Sequence, residues 1–522
     1  MPSGETKTIE NLVKMYSSTG QNTDGTMTQK AITDAITSAY NALEIRINNI
    51  PTSGSGGISN LGTDVAGHIV IVGPDGNITA SDMTESELIQ ALMNPSSYST
   101  GGSVGLTIDY ENKSFERTQD ATSYTQGADF NKYSMFGGRM RCNVNNDGTI
   151  TAFYGDSNYK EDGSNGQVMV YQPKFYYQRT LMSSSVTARG TKVYKESLIL
   201  SPTARAGFTL HPLFKSGDVE LDYVLLPAYE GSIEDVSQSS YLKNNESGVT
   251  VAQDRLSSIA GALPLNGYNN TISLDNLKQL ARNRGTGWQL TTMEFESANQ
   301  MLEMVEFGTT NVQTALENGI VSVNKNSNDS CAAVTGSTAS LGNTTGAAAS
   351  TTIVLNSNRT AYSTPGSRAI SYRGMENPWG NQWRIVGNMT IKGAGSNAGS
   401  PYYNSEATLN ITLPSASSYW IESFGADANY DWVYMPLACG GNANSALPIG
   451  DSLWSLSNLN GEALISVGGM CNSGNAAGIF HYGCDISTTA ALRASGGRIM
   501  FVPQKNSIYN SNITKWRQHY GG

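Results

Sequence analysis

The sequence predicts an α+β protein in three parts: an N-terminal helical trimerisation segment, a small β-hairpin/helix module, and a large domain with long loops. Three observations predict it. The chain has 522 residues, too many for one ordinary domain. Charged residues make up only 15%, against roughly 25% in typical soluble domains, and 55 glycines stand among abundant Ser, Thr and Asn. Helical periodicity is confined to a few short stretches, and apolar runs of strand length recur between them.

The first part is residues 1–50. In "MTQKAITDAITSAYNALEIRINNIP" the apolar positions Ile32, Ile36, Ala39, Leu43, Ile47 and Ile50 step by four and three, and Pro51 ends the pattern. A helix this short is marginal alone, and an Ile-rich seam favours three strands, so a homotrimer is expected. "PTSGSGGISN" reads as a linker. The second part spans 58–94. "HIVIVGPDGNI" alternates around a turn at Gly73, Pro74, Asp75 and Gly76, a hairpin signal, and "TESELIQALM" opens with Thr84 and Glu87 at capping-box spacing. After a second linker, "NPSSYSTGGS", the large domain runs from 104 to 508. Its strand candidates include "QVMVYQPKFYYQ", "LDYVLLPAYEG", "QWRIVGNMTI" and "YDWVYMPLACGG". Its helices are expected in "TISLDNLKQLARNR" and "TTMEFESANQMLEMVEFG", and residues 509–522 are left as a C-terminal tail.

Composition excludes several function classes. A net charge of -10 and a pI near 5.0 give no basic footprint, so nucleic acid is not an expected partner. No apolar run approaches the roughly 20 residues that span a bilayer, so no membrane insertion is expected, and "MPSGETKTIENLVKMYSS" lacks a signal peptide's apolar stretch. The cysteines are Cys142, Cys331, Cys439, Cys471 and Cys484, with no C-x-x-C, so neither zinc nor a disulfide framework is indicated. Most read as buried thiols. A pairing of Cys471 with Cys484 is left open.

Chemistry-bearing motifs are sparse. "IGDSLW" resembles the GDSL block of one lipase class, whose serine takes its base from a D-x-x-H block. The histidines here, His68, His211, His481 and His519, all lack an aspartate three residues earlier, so Ser452 is not assigned as a nucleophile. No H-x-x-x-H occurs. "DSNYKEDG" offers oxygen ligands in a turn, but its spacing does not match a calcium loop. No P-loop or complete G-x-G-x-x-G appears. The expectation is therefore no catalytic residue, no metal and no cofactor.

"SYRGMENPWGNQWRIVGNM", then "VGGMCNSGNAAGIF" and "GGRIMF", fall in the order of core blocks in the C-type lectin-like fold of formylglycine-generating-enzyme relatives, which they resemble. "CNVNNDGTITAFYGDSNYKEDGSNGQVMVYQPKFYYQ", "HPLFKSGDVELDYVLLPAYEGS" and "RGTGWQLTTMEFESANQMLEMVEFGTTNVQTALENGI" look like successive blocks of fibre proteins from phages of gut Bacteroides-type bacteria. "TGQNTDGTMTQKAITDAI" and "GHIVIVGPDGNITASD" are similar to segments that recur in phage tail fibres, so the likeness covers roughly 15–508. The chain departs from the lectin-like pattern at Met470 and Cys471 and at Gln382 to Arg384, and neither the copper-binding cysteine arrangement of the formylglycine-generating enzymes nor the histidine set of their iron-dependent relatives is recognisable. Fold is therefore carried over and catalysis is not.

The resemblance implies a virion fibre protein, of head or tail, assembled in the host cytoplasm. Its N-terminus would meet other virion structural proteins, and its tip would bind a host cell-surface glycan or protein. A purely structural decorating fibre and a polysaccharide-cleaving enzyme are the alternatives. The variable surface of such domains falls here on Met470 to Ser473 and His481 to Thr488. Gly468, Gly469, Gly496 and Gly497 would supply turns, and Arg498 would sit on the core side. The expected receptor contacts are Asn472, Ser473, His481, Tyr482, Asp485 and Thr488, with Trp454, Asn442 and Asn444 on a second loop of the rim. Polar residues there need solvent or a ligand, and aromatic rings anchor contacts at low entropic cost.

Overall fold

The computed structural model describes residues 68–72, 78–84, 102–241, 248–265, 273–323, 332–349, 368–394, 397–414, 417–440, 449–455, 461–489 and 495–521. The chain divides into two compact units, Met1–Ser96 and Ser97–Gly522.

In the first unit His68–Val72 pairs antiparallel with Ile78–Thr84, Val72 opposite Ile78. The alternating apolar run thus pairs where the spacing places a hairpin, and the turn residues 73–77 lie outside the described residues. The seam of residues 29–50, its trimer, and the helix expected after Thr84 lie outside the described residues.

The second unit is built on two sheets. A 14-stranded sheet runs from Thr209–Leu210 through Tyr176–Thr187, Gly190–Ser201, Ser417–Ala426, Ser452–Ser455, Tyr482–Cys484, Glu462–Val467, Trp383–Ala394 and Asn397–Tyr403 to Ala407–Thr408. A six-stranded sheet is ordered Trp288–Leu290, Ile499–Phe501, Tyr223–Pro227, Gln167–Pro173, Met140–Val144, Ile150–Phe153. Every residue of the central Gln167–Pro173 strand is buried, which is why it reads as a near-continuous apolar run rather than an alternating one.

The α+β expectation is corrected. Strands predominate among the described residues, where three helices reach nine residues or more: Leu274–Arg282, Met293–Phe307 and Ser507–Gly521. Gly, Ser, Thr and Asn all cost helix free energy relative to Ala, and the apolar remainder is grouped at strand length. The first two helices form where periodicity places them. Ser273 caps one, its side chain accepting from the Asn276 N–H. Gly308, at φ 70°, closes the other in the left-handed region. The third replaces the expected tail. Tyr509 stacks on Tyr223 with ring centroids 5.0 Å apart, and Trp516 stacks on Tyr171 at 5.0 Å, so this helix belongs to the unit's core.

Met293–Phe307 is buried on every face, including Glu294, Glu296, Glu303 and Glu306. Burying charges without partners is costly, so arginines from elsewhere in the chain meet them. Arg384 holds Glu296 through two hydrogen bonds of 2.6 and 2.7 Å. Arg373 holds Glu306 through two of 2.7 and 2.6 Å. Glu303 has no hydrogen-bond partner among the described residues, and burial pushes its carboxyl up to about 8. Arg498 is buried as expected, donating to the Asn377 carbonyl at 2.7 Å.

Two further expectations change. The strands ending "ISVGG" and "GGRIMF" do not form one paired core: Glu462–Val467 lies in the large sheet and Ile499–Phe501 in the six-stranded one. Gly468 (φ 96°) and Gly469 (φ 77°) do make left-handed turns, but Gly496 and Gly497 do not. They are small because neighbours come close: a Cβ on Gly496 would lie 2.4 Å from the Leu265 carbonyl oxygen, and one on Gly497 would lie 2.5 Å from Leu290 Cδ1. Cys142 and Cys484 are buried free thiols, Cys439 is a free thiol, and Cys471 is disulfide-bonded, so Cys471 and Cys484 do not pair with each other.

Candidate functional site: an aromatic sheet face

Residues paired across a sheet project to the same face. The short Ser452–Ser455 strand runs parallel to Tyr482–Cys484 and sets Trp454 beside Gly483. The antiparallel Glu462–Val467 strand sets Ser466 on the other side of Gly483. Ile385 of the next strand stands opposite Ser466. Trp454, Gly483, Ser466 and Ile385 thus form one row across four strands, and Trp383 shares the face two residues before Ile385.

Within this row Gly483, Ser466 and Ile385 are buried, and Trp454 is the exposed member. The missing side chain of Gly483 leaves room for the Trp383 ring, whose edge lies 3.4 Å from where a Cβ would stand. Trp454 is 40% exposed and Trp383 is half-buried. Two indoles therefore flank a glycine and a serine on a hydrogen-bonded sheet. Ser466 Oγ donates to the Gly483 carbonyl at 3.2 Å, which leaves the row without a charged group.

The expected contact residues separate into exposed and buried sets. Asn472 is exposed; Ser473, Asp485 and Thr488 are half-buried; Asn442 and Asn444 lie outside the described residues. Ser473 Oγ accepts the Met470 N–H at 3.0 Å, and the Thr488 carbonyl accepts the Leu274 N–H at 3.2 Å, so both residues help to hold loops. Partial burial raises the Asp485 carboxyl above its usual range.

His481 and Tyr482 are corrected: both are buried, at 1% and 0% exposure. Tyr482 Oη donates to the Tyr434 carbonyl at 2.8 Å and accepts from Gln300 Nε2 at 3.0 Å. His481 packs edge-on against Trp383 at 4.5 Å. The physical reason is the sheet's two-sidedness. Both faces of this strand meet packed side chains, so neither neighbour along the chain is free to point outward. His481 packs against Trp383 on the same side of the strand as Gly483 and, being buried, does not itself present to a ligand.

Ser452 and His481 come together although no sequence spacing linked them. Ser452 Oγ lies 3.2 Å from His481 Nε2, a pairing made by the parallel strands. A Ser-His pair in a hydrolase needs substrate access and a group that orients the imidazole. Here both residues are 1% exposed, and His481 Nδ1 has no hydrogen-bond partner among the described residues. Burial pulls the His481 pKa down to about 3, which keeps the ring neutral. Neighbouring Asp451 does not orient it. That carboxylate accepts from the Phe480 N–H at 2.7 Å and from Gln313, and burial pushes its pKa up to about 8. Nor do the acidic residues of "DSNYKEDG" converge on a metal site. Glu161 pairs with Arg141 at 3.1 Å, and Asp162 Oδ1 accepts from Ser164.

Sequence reasoning missed Trp383, Gly483 and Ser466 as members of a face. Trp383 sits inside the quoted "NQWRIVG" strand, but nothing local shows that its ring reaches across to a glycine a hundred residues later.

No family model matches the chain, and no curated protein matches it. Among solved structures it is similar to the Major Tropism Determinant P3c Variant, at 12% identity, covering 83% of this chain and 93% of that chain. The TM-score is 0.24, too low to carry an argument about this chain.

Proposed function

We propose that this chain is a phage virion fibre protein whose second unit binds a host-surface glycan or protein. The contact surface in this reading is the face formed by Trp454, Gly483 and Trp383. The observation that carries it is the exposed Trp454 ring paired across the sheet with Gly483, toward which the half-buried Trp383 ring also reaches. Tryptophan gives a large apolar contact with few rotatable bonds, and such rings dominate binding energy where they are fixed in advance. Asn472 and Asp485, on the loops around this face, would supply adaptable polar contacts. The virion assignment rests on the fibre-like sequence blocks. Assembly as a homotrimer and docking onto other virion proteins through the N-terminal unit belong to the same proposal, as does the absence of a catalytic role.

The test is Trp454→Ala in the full chain, measured for binding to host cells and for its thermal melt. Loss of about 2 kcal/mol of binding free energy, with an unchanged melt, is the expected outcome. Host-cell binding equal to the unsubstituted protein overturns the assignment of this face. Virions that lack the substituted protein altogether point to the structural-fibre alternative.

A further inference from the structure

A concavity of about 230 Å3 opens between the Leu274–Arg282 helix and the hairpin of Trp383–Ala394 with Asn397–Tyr403. Lys278 and Arg282 line one wall, four residues apart and so on one helix face. Neither side chain makes a hydrogen bond or ion pair among the described residues, although the chain as a whole carries -10. Asp275 and Glu462 act on Lys278 only at longer range. This sets the pair apart from Arg373, Arg384 and Arg141, each matched to a glutamate.

The opposite wall is a strained turn. Asn404 and Ser405 are consecutive left-handed residues, at φ 51° and 57°, and Tyr402 Oη donates to the Ser405 carbonyl at 2.6 Å to hold them there. Left-handed residues other than glycine are strained, and such strain gathers at ligand clamps. Between the walls, the Gln289 and Thr292 side chains have no hydrogen-bond partner among the described residues. The volume is below the roughly 300–1,000 Å3 of sites for drug-sized ligands, so one ring fits.

We infer that this groove binds a single acidic sugar unit of a polysaccharide. Its anionic group lies between Lys278 and Arg282, and its hydroxyls meet Gln289 and Thr292. Two adjacent cations without carboxylate partners favour an anion, and free neutral polar groups beside them favour hydroxyls over an apolar ligand. The inference stands apart from the receptor reading, since it uses none of the aromatic face.

The experiment is calorimetric titration of the full chain with four probes. One is a tetrasaccharide alternating glucuronic acid and N-acetylglucosamine. The second is its carboxyl-reduced form, the third is that reduced form carrying sulfate, and the fourth is inorganic sulfate. Binding of the first or the third, at least tenfold tighter than the second and the fourth, is expected, and which one binds names the anionic group. Lys278→Ala with Arg282→Ala should lower that affinity at least tenfold with an unchanged melt. The inference is overturned if neither acidic probe binds, if the reduced neutral form binds equally, or if sulfate alone binds as tightly. It is also overturned if the double substitution has no effect.

Discussion

The core around Met293–Phe307 and the aromatic face around Gly483 treat polar groups in opposite ways. The core collects charge: Glu296, Glu306, Arg373 and Arg384 are all buried and paired. The face has no charged member in its row and offers indole rings, a glycine and a serine. Buried pairs add little net stability, because desolvation cancels much of the attraction, but they tolerate only the arrangement in which each charge is met. A face built on a sheet row needs no such matching, and its exposed member, Trp454, is not committed to a charged partner. The difference teaches that this chain, poor in charge, places much of it where it enforces geometry.

Four changes test that contrast, beginning with the largest expected effect. Glu306→Ala leaves Arg373 buried without its carboxylate and also removes the acceptor for Tyr372 Oη at 2.9 Å. The loss should be about 3–5 kcal/mol in denaturant unfolding. If that variant does not fold, Glu306→Gln should fold with a smaller loss. An unfolding midpoint equal to the parent's would show that the pair does not hold the core.

Gly483→Ala comes next. The added methyl would lie 2.6 Å from Ser466 Oγ and 3.4 Å from the Trp383 ring. A loss of about 1–3 kcal/mol is expected, with part of it restored by Ser466→Gly in the same chain. Failure of that rescue would mean the crowding lies elsewhere.

The third is a pH dependence. Asp451 and Glu303 are pushed up to about 8 and Glu230 to about 7, all three first by burial. These groups hold protons in the folded state that the unfolded chain has released above its ordinary carboxylate pKa. Their contribution is full below that ordinary value and is lost as pH rises through the folded one. His211 and His481, pulled down to about 3, act only below the ordinary histidine pKa of about 6.5. Between about pH 6.5 and 8.5 the melting temperature should therefore fall, and Asp451→Asn should remove part of the fall. A profile that rises over this window would contradict the assignment. The smallest effect is Trp454→Ala on stability alone, expected within about 0.5 kcal/mol by thermal melt. A larger loss would place that ring in the core rather than on the face.

Much of the local structure was legible. The strand pair His68–Val72 with Ile78–Thr84 and the helices Leu274–Arg282 and Met293–Phe307 fall where patterns of neighbouring residues place them. The candidate site was legible only at Trp454, an apolar ring among turn residues. His481 and Tyr482 looked equally available because glycines and small polar residues surround them in the chain. Their burial depends on packing from Gln300, Tyr434 and Trp383, all far away in sequence.

By itself, then, the sequence indicated several strands and the first two helices of the second unit, but not the Ser507–Gly521 helix or the predominance of strands. The indicated elements depend on short-range sterics, hydrogen-bond competition and composition. Only the tertiary structure decided that Ser452 meets His481, that Trp383 reaches Gly483, and that Lys278 and Arg282 line a polar groove without an ion-pair partner among the described residues. Each is a matter of strand order and register between segments distant in the chain. A one-residue change of register turns every side chain of a strand to the other face, and no local pattern specifies which distant strand will be its neighbour.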